Sequence, residues 1–181
     1  GQPDINDVGK VAFWTNVTDA VGTQSRAIYT INTNGTGLTR AVTGSDLEIP
    51  NLLMSDFVRI NNNNEVAFGA FDTTFTSSSV HMTVDGTPRV VAKTGDVIAG
   101  IPVTQVPTTR FDFNDQGKLA FYAGPSTFDT GLFIASFTGG PGSVGPIITQ
   151  VAQMSTGSDA ILSQILDQSV LGATTGELDL S

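Results

Sequence analysis

The sequence predicts an all-β fold, a propeller-like array of about three four-stranded repeats with a lone closing strand. Three observations predict it. An octet recurs: Asn6-Asp7-Val8-Gly9-Lys10-Val11-Ala12-Phe13, then Asn61-Asn62-Asn63-Asn64-Glu65-Val66-Ala67-Phe68, then Asn114-Asp115-Gln116-Gly117-Lys118-Leu119-Ala120-Phe121. Gly176-Glu177-Leu178-Asp179-Leu180 keeps its strand half. Val11, Val66, Leu119 and Leu178 stand 55, 53 and 59 residues apart, and a near-constant step of that size marks a repeat architecture. The apolar runs between turn residues are short, and they are either alternating or wholly apolar, as strands are.

The elements follow in order. Asn6 to Gly9 is a turn, because Asn and Asp bond their own backbone and Gly takes positive φ freely. Lys10 to Thr15 is a strand, and a polar loop runs from Asn16 to Ser25. Arg26 to Ile31 and Leu38 to Thr43 form a hairpin across Asn34-Gly35, a pair suited to a type I′ turn. Gly44-Ser45-Asp46 is a corner, and Leu52 to Ile60 leads into the second repeat. There Glu65 to Phe71 is the strand and Asp72 to Ser78 the polar loop. Val80 to Val84 and Pro88 to Ala92 are the hairpin, turning at Asp85-Gly86. Thr94-Gly95-Asp96 repeats the corner. The third repeat offers Lys118 to Tyr122, Gly131 to Ser136, a Gly/Pro loop at 139–145 and a strand at 146–151. Its corner is Thr156-Gly157-Ser158-Asp159. Ile161 to Val170 reads as a short helix, and Glu177 to Leu180 as the closing strand.

The chain is thus a single repeat domain, 1–181. Its repeats span about 1–55, 56–108 and 109–167, with a partial fourth at about 168–181. About four strands over roughly fifty residues is the size of a propeller blade. A single unit cannot bury both its faces, so neighbours must stack. Two geometries remain open, a curved stack or part of a larger ring.

Charged residues are only 14% of the chain, and Thr, Ser, Asn and Gly carry the polar surface. The formal charge of −9 and the lack of any Lys/Arg cluster argue against nucleic acid or an anionic membrane as partner. The absence of cysteine excludes disulfides, thiolate metal sites and thiol catalysis. No apolar run is long enough to span a bilayer as a helix. The start at Gly1, almost on the first repeat, is expected of a processed or trimmed chain.

The first and third octets fit Asn-x-x-Gly-x-x-Ala-Phe, and the second has Asn64 where that pattern has Gly. The Ala92 to Asp96 run, followed by Gly100, adds a Gly-Asp corner. These motifs cover essentially the whole chain. They resemble the bacterial surface tandem-repeat proteins named for the pattern, the NxxGxxAF repeat proteins. The resemblance implies an extracellular or cell-surface setting and carries no established chemistry to any residue.

Candidate sites follow from residue types. The turns holding Asp4, Asn6 and Asp7, and Asp112, Asn114 and Asp115, invite calcium through Asn6, Asp7, Asn114 and Asp115. Calcium wants six to eight oxygens, however, and Arg59 replaces the leading Asp in the middle copy. Side chains bonding their own turn are the expectation, with no cofactor. Asp46, Asp96 and Asp159 recur at similar phase as a ring of carboxylates toward a ligand or as turn caps. Trp14 and Tyr122, with Phe71 two positions out of phase, could stack on sugars or pack in the sheet. His81, the only histidine, stands alone, which argues against zinc or a Ser/His/Asp hydrolase. It is expected to be an exposed or hydrogen-bonded strand residue. Asn16-Val17-Thr18 and Asn34-Gly35-Thr36 fit the glycosylation acceptor pattern.

The leading functional expectation is a non-catalytic extracellular binding or adhesion module, for glycans or a surface protein. The alternative is a structural subunit that self-associates through its edge strands. A propeller-type hydrolase comes third, since distant carboxylates can meet only in the fold.

Overall fold

Each Asn octet folds as the first hairpin of a four-stranded antiparallel blade. The computed structural model describes residues 2–18, 22, 24–49, 52–126, 130–137 and 145–154. The first blade is β1 (Asp4–Ile5), β2 (Lys10–Thr18), β3 (Gln24–Asn32) and β4 (Thr39–Thr43). The second is β5 (Leu53–Ile60), β6 (Val66–Phe71), β7 (Ser78–Val84) and β8 (Thr87–Lys93). A link carries the short pair β9 (Val97–Ile98) and β10 (Ile101–Pro102). The third blade is β11 (Phe111–Phe113), β12 (Leu119–Ala123), β13 (Thr130–Ser136) and β14 (Ile147–Met154). Strand order within every blade is sequence order. The fold is all-β and propeller-like, as the repeats require.

The three octet turns share one geometry. Asn6 N–H donates to Lys10 O, Asn61 N–H to Glu65 O and Asn114 N–H to Lys118 O, at 2.9, 3.1 and 3.1 Å. The fourth residue of each turn has positive φ: Gly9 at 80°, Asn64 at 64° and Gly117 at 68°. Asn is the non-glycine residue best suited to that region, which explains how the second copy departs from the pattern without losing the turn.

The packing explains the Ala-Phe pair. Successive strand side chains point to opposite faces. Ala12 packs in a core between the first and second blades, together with Val66, Phe68 and Ala70. Ala67 packs in a second core, with Leu119 and Phe121 of the third blade. In the second octet Ala67 faces the third blade and Phe68 faces the first; Ala12 likewise faces the blade that follows it, and Phe121 the blade that precedes it. The second blade is covered on both sides, so Val66 to Ala70 is buried without a break.

Cross-strand register repeats as well. Phe13 lies opposite Tyr29, Phe68 opposite His81 and Phe121 opposite Phe133. The rings are 6.2, 5.0 and 5.6 Å apart and stacked. A register shift falls just before the partner ring in every blade, at Ile28/Tyr29, Val80/His81 and Leu132/Phe133.

Several sequence expectations change. The octet is the hairpin between the first two strands of a blade, not its beginning, so the boundary at 55/56 falls inside β5. Asn16-Val17-Thr18 is not loop; it continues β2, with Asn16 paired to Arg26. At Asn34-Gly35 only Gly35 has positive φ, 81°. That excludes a type I′ turn, which needs it at both positions. Here Asn34 Oδ1 accepts the Thr36 N–H at 3.0 Å, and this side-chain bond holds a wider loop. Asp85-Gly86, both at positive φ, is the type I′ turn. Of the two alternatives for His81 the hydrogen-bonded one holds: it is a fully buried strand residue whose Nε2 bonds Ser79 Oγ. The corner at Asp159, the helix at 161–170 and the closing strand lie outside the described residues.

Candidate functional site

The candidate site is a groove between the β6–β7 loop and the link that follows β10. Its first wall is built on Asp72. Asp72 Oδ1 accepts Thr74 N–H at 3.1 Å, Thr74 Oγ1 at 3.1 Å and Thr76 N–H at 2.9 Å. Its Oδ2 accepts Thr76 Oγ1 at 2.8 Å and Ser77 N–H at 3.1 Å. Hydrogen bonds to a carboxylate favour its charged form. The Thr76 hydroxyl above all, with the N–H groups of Thr76 and Ser77 and the Thr74 hydroxyl, lowers the Asp72 pKa to about 2 against the opposing effect of desolvation.

This cage holds Phe75 at φ 57°. A bulky residue in that region is strained and persists only where its surroundings impose it. Phe75 is 75% exposed, and it stacks on Phe71 with centroids 4.8 Å apart and planes at 19°. The loop thus displays a stacked aromatic pair with one face in water.

The second wall is 105–110. Ser55 Oγ donates to Thr108 O at 2.9 Å, and Val106 N–H donates to Ser78 Oγ at 3.0 Å. Gly69 lets this wall lie against the sheet: a Cβ there would clash with the backbone carbonyl of Thr108. In the aligned octets Gly69 stands where the other blades have Trp14 and Tyr122. The groove encloses about 600 Å³, with Thr76, Gln105, Thr109 and Arg110 beside the two rings. Among the described residues its lining contains no carboxylate, imidazole or amine.

The other candidate residues are placed separately. Trp14 is partly buried against the core of the first two blades, and the Arg26 guanidinium lies 4.5 Å over its ring. Arg26 in turn bonds Met54 O and Asp56 of the second blade, so Trp14 is an inter-blade contact and not an open sugar platform. Tyr122 lies on the outer face of the third blade, by alternation from the buried Phe121. Asp46 Oδ2 caps the Gly44–Asp46 turn by accepting Thr43 N–H at 2.7 Å. Asp96 Oδ2 likewise accepts Lys93 N–H at 2.9 Å. Both corner carboxylates serve their own corners.

Asn6, Asp7, Asn114 and Asp115 belong to a ladder of stacked turns. Asn6 Nδ2 donates to Asn61 O at 2.8 Å, and Asn61 Nδ2 to Asn114 O at 3.1 Å. Asp7 N–H donates to Asn62 Oδ1 at 2.8 Å, and Asn62 N–H to Asp115 Oδ1 at 2.8 Å. Asn62 Nδ2 bridges the carboxylates of Asp7 and Asp115. Asn6 Oδ1 and Asn114 Oδ1 accept N–H groups of their own turns. Among the described residues no three or more His, Asp or Glu side chains are placed to hold a metal ion.

Phe75 is the site residue that the repeat pattern does not mark. Its signal was an aromatic inside a run of hydroxyl residues, three positions after an Asp able to cage the loop.

The blades and their shared turn ladder define a propeller-like repeat protein. The chain belongs to a family of unknown function, DUF7453, which matches residues 1–175. No curated protein is similar to it by sequence. Among solved structures it is similar to one described as "The beta-propeller domain of the Trilobed protease from Pyrococcus furiosus reveals an open velcro topology". That likeness has 12% identity and a TM-score of 0.49, and covers 75% of this chain and 38% of the other. The fold described above stands on this chain's own sheets.

Proposed function

We propose that the chain is a non-catalytic binding module whose ligand surface is the Phe71–Phe75 groove, and that the ligand is a saccharide. The exposed, strained Phe75 carries this reading. An aromatic ring held in solvent by five hydrogen bonds to one carboxylate costs stability that packing does not return. Sugar rings present C–H faces to an aromatic ring and hydroxyls to Thr76, Gln105, Thr109 and Arg110. The volume is within the ordinary range for a ligand cleft. That its described lining holds no acid–base pair supports binding over hydrolysis. The likeness to surface repeat proteins and the sparsely charged Thr/Asn surface support an extracellular or cell-surface setting.

A glycan-array screen of the intact chain tests this, with Phe75→Ala alongside and with calcium or a chelator present. The expected result is binding to at least one glycan class, lost in Phe75→Ala and equal with and without calcium. Binding that survives Phe75→Ala, or none across the array, overturns the proposal.

A further inference from the structure

We propose that the outer face of the third blade is a docking surface for a further blade of this repeat type, one with the chemistry of the second blade. The third blade copies the residues with which the first blade holds the second. Asp4-Ile5-Asn6-Asp7 becomes Asp112-Phe113-Asn114-Asp115. In the first blade, Asp4 Oδ2 accepts Ile60 N–H at 2.8 Å, Asn6 Nδ2 donates to Asn61 O and Asp7 N–H donates to Asn62 Oδ1. In the third blade, Asn114 Nδ2 and Asp115 N–H have no such acceptor among the described residues. Asn6 and Asn61 are buried beneath the turn that follows them, at 8% and 2% exposure, whereas Asn114 is exposed. Beside it Ala120 and the exposed Ile134 line a shallow hollow. Ala120 is the counterpart of Ala12 and Ala67, which the next blade covers.

Charge selects the occupant. Across the three blades one ladder position reads Asp4, Arg59, Asp112, with Arg59 3.8 Å from Asp4 and 3.6 Å from Asp112. The other reads Asp7, Asn62, Asp115. A second copy of this chain would bring Asp4 against Asp112 and Asp7 against Asp115, like charges in contact, which oppose association. Residues 155–181 contain no Arg, Lys or Asn. A blade carrying Arg and Asn at these positions, as the second blade does, continues both alternations.

The test extends the full chain after Ser181 with a second copy of residues 52–108, or instead with a second copy of residues 2–49. Hydrogen exchange at the Asp115 amide is read in each. The 52–108 extension is expected to slow it about tenfold or more, and the 2–49 extension to leave it unchanged. Equal slowing by both, or by neither, overturns the proposal. An independent reading uses the unextended chain. Asp112→Asn with Asp115→Asn removes the like-charge opposition, so sedimentation velocity is expected to show association that grows with concentration. A double variant that stays monomeric at every concentration also overturns it.

Discussion

Asn61 and Asn114 occupy the same place in their turns and differ in what covers them. Asn61 donates to Asn114 O and to Glu65 and accepts from the N–H groups of Asn63 and Glu65. It does so while buried, where an orphaned partner cannot turn to water. Asn61→Ala is therefore expected to cost about 2–4 kcal/mol, and Asn114→Ala about 1 kcal/mol or less. Urea unfolding of the two variants measures the difference, and equal losses would remove the ladder's role in stability. His81 gives a residue-scale prediction in pH. Burial lowers its pKa from 6.5 to about 4, and its Nδ1 has no hydrogen-bond partner among the described residues. The unfolded chain binds the proton first, so its contribution is complete above about pH 6.5 and is lost as pH falls toward 4. The loss reaches about 3 kcal/mol. His81→Phe, which installs the ring the third blade has at Phe133, is expected to remove that pH dependence. Urea midpoints at pH 7.5 and 4.5 read it, and an unchanged slope in the variant would refute the assignment.

At the scale of elements, the blade is defined by a hairpin turn, a stacked aromatic pair and a bulge beside it. The turn was legible, because Asn-x-x-Gly carries its own hydrogen-bonding chemistry. The bulge was not, since nothing in Ile28-Tyr29 or Val80-His81 marks an extra residue until a partner strand is laid beside it. The β6–β7 loop carries the element-scale prediction. Phe75→Gly relieves a left-handed conformation worth about 1 kcal/mol or more. It is expected to raise the melting temperature while abolishing saccharide binding, and Phe75→Ala keeps the strain and loses binding alone. A Phe75→Gly variant of unchanged or lower stability would show that the loop is not strained.

For the whole molecule, stability is the sum of blades and their interfaces, as in other stacked repeats. The second blade has a neighbour on each face, and among the described residues the first and third blades each have one. Hydrogen exchange is expected to be slowest in β6 and β7 and faster in β2 and β12, whose outer faces are half open. Uniform protection across the three blades would contradict this stacked picture. No helix of the described residues is long and apolar enough to cross a membrane.

The all-β class, the repeat step and the octet turn are legible in the chain, because they depend on local chemistry: turn propensity, strand alternation and a recurring pattern. Blade stacking is what turns Ala67 and Phe68 toward different blades, makes Trp14 an inter-blade contact under Arg26, and aligns Asp4, Arg59 and Asp112 in one ladder. Stacking also made the groove, where Phe75 and Thr108 stand on opposite walls and Gly69 admits the second wall from far away in the chain. Such contacts join positions distant in the chain, and their geometry exists only once the blades have stacked.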